Sequence, residues 1–128
     1  MSNKESMEMY LETVLILERD HGHAHASEIA KQLGVSKPSV TKAMNVLKAN
    51  GLVHKQPYGT ITLTSKGRAY SEKILSKHHL ITRYLIHSLG LTEAEATENA
   101  CKMEHVISSD MLKAINEYLS LNKISNER

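Results

Sequence analysis

Cysteine is nearly absent from this sequence: Cys101 is the only one in 128 residues, so no disulfide can close within the chain and nothing signals an oxidising compartment. Long apolar runs are missing too. No stretch approaches the roughly 20 residues of a membrane span, and the opening MSNKESMEMYLE lacks the apolar centre of a secretory leader, so a cytoplasmic protein is expected. There is no glycine-rich phosphate loop and no recognisable catalytic motif. Acid is absent from one long segment: no Asp or Glu lies between Glu28 and Glu72, where Lys31, Lys37, Lys42, Lys48, Lys55, Lys66 and Arg68 all fall. The net charge is only +2, so it is the distribution of charge that marks this segment as one favouring a polyanion.

What is present is ordinary for a folded globular chain, with 41% hydrophobic and 23% charged residues. Tyr10, Val14 and Leu17, flanked by Leu11 and Leu15, recur at helical spacing and predict a helix over about 6–20. The H-G-H-A-H run of His21 to His25 interrupts it and reads as a solvated turn. Ser27 is the expected cap of a short second helix that carries Ile29, Ala30 and Leu33 and ends at Gly34. A third helix is expected from Ser36 or Lys37, with Pro38 in its first turn, where a missing N–H costs nothing. Its apolar face is Val40, Ala43, Met44 and Leu47; its polar face offers Ser39, Thr41, Lys42, Asn45 and Lys48.

Residues 52–56 and 60–64 alternate as two strands of a hairpin around Pro57 to Thr60. Helix, helix, turn, helix, hairpin is the order of a winged helix-turn-helix, whose third helix usually enters the major groove. Helical periodicity returns over about 65–88, stops at Gly90, resumes behind a Thr92/Glu95 capping box to about Ile107, and starts again after Ser108 with Met111, Leu112, Ile115 and Leu119 as its apolar stripe. The expected fold is therefore mostly α: a winged helix-turn-helix over residues 1–72, then a helical module over 73–128. With little core of its own, that module should pair with a second copy in a homodimer.

Cys101, Glu104 and His105 stand at i, i+3 and i+4, so a continuous helix would bring thiolate, carboxylate and imidazole to one face, a set able to bind a first-row divalent metal. The same spacing also describes a half-buried cysteine beside a surface Glu and His. Three blocks here resemble the diphtheria toxin repressor family of metal-dependent regulators, which includes a manganese-sensing branch. They are Ser6-Met7-Glu8-Met9-Tyr10-Leu11; Val35 to Lys42 with Leu63-Thr64-Ser65-Lys66-Gly67; and Asn99-Ala100-Cys101-Lys102-Met103-Glu104-His105-Val106.

The resemblance implies a short family form without the C-terminal SH3-like domain. It implies a primary metal site of Met9, Cys101, Glu104 and His105, and a module that binds metal and dimerises. Of the iron branch's ancillary positions, His78 is matched, whereas Thr82 and Thr97 replace its other ligands; Glu12 stands where the manganese branch has an acidic ligand. A second site near Glu12, His78 and Glu104 is therefore expected. Soft Met9 and Cys101 favour Fe(II) over Mn(II), the alternative, with Co(II), Ni(II) or Zn(II) binding in vitro. Bound metal would activate repression of metal-uptake genes from a double-stranded DNA operator. Ser36, Lys37, Pro38, Ser39, Thr41 and Lys42 are expected in the major groove, with Lys55 and Tyr58 near the backbone. Two other readings use Cys101 differently, as the sensor of an organic ligand or of redox state in a winged-helix regulator, or as an enzyme's nucleophile with His105 or His79 as base.

Overall fold

The structure is a computed structural model and describes residues 3–56 and 59–122. Its elements in chain order are α1 (Asn3–His21), β1 (Ala24–His25), α2 (Ala26–Leu33), α3 (Lys37–Ala49), β2 (Val53–Lys55), β3 (Thr60–Leu63), α4 (Ser65–Leu89), α5 (Glu93–Met103) and α6 (Ser109–Leu121). The chain divides into two compact units, Met1–Glu72 and Lys73–Arg128.

In the first unit, Gly34 closes α2 with a left-handed backbone (φ 67°), which sends the chain straight into α3. Ser36 caps α3 by accepting from the Ser39 N–H at 3.2 Å, and Pro38 sits in the first turn as expected. Val40, Ala43, Met44 and Leu47 are buried against a core that includes Leu11, Val14, Leu15, Ile29, Ile61 and Leu63. Burying this side of α3 leaves Ser39, Thr41, Lys42, Asn45 and Lys48 exposed on its other side.

Two expectations are corrected here. The sheet has three strands in the order β1-β3-β2, with Ala24 opposite Ile61 and His25 opposite Thr60. The H-G-H-A-H run is therefore only partly a turn, because Ala24 is wholly buried and takes β3's second edge. Nor is Ser27 the cap of α2. His25 occupies the cap position, and its backbone N–H donates to the Glu28 carboxylate at 3.0 Å.

In the second unit, Thr92 caps α5 and Ser108 caps α6, each accepting the expected backbone N–H. Ile81, Leu85, Ala96, Ala100, Ile115 and Leu119 form a buried cluster, so the unit has a core of its own, contrary to expectation. Met111, expected in the apolar stripe of α6, is 44% exposed. Among the described residues no helix is long and apolar enough to cross a membrane.

Candidate functional site

The expected ligand cluster of the second unit straddles the end of α5, where Glu104 still donates its N–H to the Ala100 carbonyl. α5 ends at Met103, Glu104 is its C-cap, and His105 stands in the turn beyond, whereas the sequence suggested a helix to about Ile107. Ser108 caps the next helix only four residues further on, so the chain must leave the α5 axis early. Cys101, half-buried in the last turn, still has its Sγ within 4.8 Å of a Glu104 carboxylate oxygen.

Glu104 is wholly buried. One of its oxygens lies 3.1 Å from His78 Nδ1, presented by α4, and the other 3.3 Å from His105 Nε2. Neither oxygen has a hydrogen-bond partner among the described residues, and the same holds for His78 Nδ1. A carboxylate taken out of water without donors is costly, by several kcal/mol or about that order after relaxation. Two ring nitrogens converging on it with a thiol nearby make a donor set that a divalent cation satisfies. The donors present therefore fit such an ion.

Thr82, at a position where the iron-sensing branch has a ligand, is buried and its hydroxyl donates to the His78 carbonyl at 2.8 Å. That bond helps to fix the turn of α4 bearing His78. Thr97 lies half-buried on α5. Met9 and Glu12 belong to the first unit, where both are half-buried on α1, three residues apart and so on neighbouring turns of one side. Glu8, beside Met9, is buried and accepts the Tyr70 hydroxyl at 2.7 Å. Nothing in the sequence pattern pointed to this pair, because its members are 62 residues apart.

The residues expected to meet DNA lie at the exposed start of α3. Ser36, Lys37, Pro38, Ser39, Thr41 and Lys42 are all exposed. The Ser36 and Ser39 hydroxyls are 2.9 Å apart, so they are already hydrogen-bonded to each other. Lys55 donates to the Asn45 side chain at 3.2 Å, and Tyr58 lies outside the described residues. Part of the acid-free segment's charge is used internally: Arg68 pairs with Glu18, and Lys66 donates to the Asn50 carbonyl at 3.3 Å. Lys37, Lys42 and Lys48 remain as exposed cations on α3.

Residues 4–61 match the family described as iron dependent repressor, N-terminal DNA binding domain, and residues 64–125 match iron dependent repressor, metal binding and dimerisation domain. An HTH-type transcriptional regulator of Methanocaldococcus jannaschii is 37% identical over 116 residues, covering 90% of this chain and 93% of that protein. The diphtheria toxin repressor of Corynebacterium efficiens is 32% identical over 115 residues, covering 90% of this chain and 50% of that repressor. Among solved structures, the manganese regulator SloR is similar with a TM-score of 0.76 and 30% identity, covering 94% of this chain and 55% of SloR. The chain thus spans about half the length of the repressor and of SloR, and nearly all of the archaeal regulator.

Proposed function

Because this chain belongs to the iron-dependent repressor family of DNA-binding regulators, we propose that it is a metal-activated repressor of metal-uptake genes, with Fe(II) as its activating ion and Mn(II) as the alternative. The buried Glu104 carboxylate, approached by two imidazoles and a thiol, is the observation that carries this reading. Cys101, Glu104 and His105 are the proposed core of the primary site. Met9 joins them on the family resemblance, as does Glu12 in a second site with His78 and Glu104. A bound divalent ion supplies the positive charge that balances the carboxylate. Cys101 must lose its thiol proton to ligate, and His78 and His105 must be neutral, so affinity falls as pH is lowered.

Softness of the donors supports Fe(II). A thioether and a thiolate suit it better than Mn(II), for which oxygen donors are the better match, and Zn(II), Co(II) and Ni(II) should also bind in vitro. The exposed start of α3 is the proposed major-groove reader, with Ser39, Thr41 and Lys42 offering donors to base edges and phosphates. Exposed Leu89, Val106, Met111 and Leu121 support the second unit as the dimer surface, since apolar side chains left in water favour burial against a second copy. In such a dimer two α3 helices would meet half-sites about one DNA turn apart, ~34 Å or a multiple.

The test is anoxic fluorescence anisotropy on a labelled candidate operator, titrated with Fe(II) and with Mn(II), for wild type and Cys101→Ala. Metal should tighten binding in the wild type, and the substitution should remove most of the effect. Equally tight binding with a chelator present would leave an ordinary winged-helix regulator. Tightening by an oxidant without metal would favour redox sensing at Cys101 instead.

A further inference from the structure

We propose that the second unit binds a small organic polyanion in a cavity between α4 and α6, through Lys73, Lys77 and Arg83. The cavity has a volume of about 340 Å³ and is lined by Lys73, Ser76, Lys77, His79, Leu80 and Arg83 of α4 and Leu112 of α6. That volume lies in the range of clefts that enclose small molecules. Three basic side chains line it and, among the described residues, no carboxylate does.

The α4 positions 73, 76, 77, 80 and 83 recur at three or four residues, so one side of a helix presents them together. Arg83 is only 8% exposed. A guanidinium in the wall of a cleft attracts an anion more strongly than one in open water, and its planar fork matches a carboxylate or a phosphate. Ser76 adds a hydroxyl donor. Leu80 and Leu112 give the same cavity an apolar wall, which a bare inorganic ion cannot use but a carbon skeleton can. Lys73 and Lys77 alone bring two positive charges to the cavity, which suit a ligand carrying two negative ones. A concave site of this size admits a small molecule and excludes the ridge of a duplex backbone.

The ligand class is therefore a polycarboxylate or a phosphate ester. None of the proposed metal ligands is used, so the site stands or falls apart from the metal switch. The test is calorimetry on the full, metal-free chain with citrate, glycerol 3-phosphate and inorganic phosphate as probes. Removing metal first keeps chelation by citrate out of the signal.

One of the two organic probes should bind saturably, one per chain, and more tightly than inorganic phosphate. Its identity separates the carboxylate from the phosphate source. Lys73→Glu with Lys77→Glu should weaken that binding about tenfold or more while the thermal melt is retained. Arg83→Lys keeps the charge and loses the fork, so it should weaken binding less than the double substitution does. No saturable binding of either organic probe at millimolar concentration overturns the proposal. So does equal binding of inorganic phosphate, or unchanged affinity in the lysine variant.

Discussion

Single residues carry much of the fold's specificity, and Gly67 shows how. A Cβ built there would lie 1.9 Å from the Leu52 carbonyl oxygen, a backbone atom already fixed by accepting the Thr64 N–H at 3.1 Å. Thr64 in turn donates its hydroxyl to the Gly51 carbonyl at 2.7 Å and accepts the Gly67 N–H at 2.9 Å. Nothing in this knot can yield without breaking a hydrogen bond. Gly67→Ala should therefore cost about 3 kcal/mol or more, read as a fall in the denaturation midpoint, and an unshifted midpoint would refute the steric account. Glu104 makes the opposite case, a buried residue poorly satisfied by its own chain and proposed above as a metal ligand. In Glu104→Gln, an amide replaces a buried carboxylate that lacks donors, so the metal-free chain should melt at the same temperature or higher. The rise in melting temperature on adding metal should shrink or vanish, because only a native state that binds metal is stabilised by it. A metal-dependent rise as large as in the wild type would remove Glu104 from the site.

At the scale of elements, the start of α4 is tied to α1 by buried or half-buried polar bonds. Tyr70 donates to Glu8, Arg68 pairs with Glu18, and Glu18 also accepts the Leu63 N–H at 2.9 Å, which draws β3 into the same set. The half-exposed pair of Arg19 and Glu72 adds little beside these, since solvent screens it. Burial first, then the hydrogen bond to Glu8 and Glu8's charge, push the Tyr70 hydroxyl from its ordinary 10.0 up to about 12. The native state therefore holds this proton more tightly than the unfolded chain does. Its contribution is complete below pH 10, and it is lost as pH rises from there through about 12. Tyr70→Phe should lose about 1 kcal/mol at neutral pH and should fall less steeply between those limits than the wild type, measured as denaturant midpoint against pH. Elements of this kind were largely legible in the sequence. Periodicity and caps mark α3, α4 and α6 because Ser36, Gly90 and Ser108 act locally on their own neighbours. The strand at Ala24 was not legible: two residues show no alternation, and pairing with Ile61 is a long-range event. The early end of α5 was hidden for a related reason, since a cap at Glu104 leaves no glycine or proline as a sign.

At the scale of the whole chain, metal binding and DNA binding must be linked reciprocally if the proposed switch operates, so operator DNA should raise metal affinity by the factor by which metal raises DNA affinity. The sequence offered the proposed donors by spacing and resemblance. It did not reveal that His78 and Glu104 approach to 3.1 Å, because they stand on α4 and at the end of α5 and only the fold relates them. Metal choice then rests on donor chemistry more than on fold, since a manganese regulator shares the architecture at a TM-score of 0.76. Exchanging the two proposed sulfur donors for oxygen, in Met9→Asp with Cys101→Glu, would keep the proposed ligand count and harden the set. Hard donors favour Mn(II) relative to Fe(II), because the thiolate and thioether terms that distinguished the ions are gone. The expected outcome is a variant in which the ratio of Mn(II) to Fe(II) needed for half-maximal operator binding falls by about tenfold, a differential of about 1.4 kcal/mol between the ions. Anisotropy titrations of both proteins with both metals measure that ratio directly. If the ratio is unchanged while both ions still activate, selectivity is not set by these donors and the assignment of Fe(II) loses its basis.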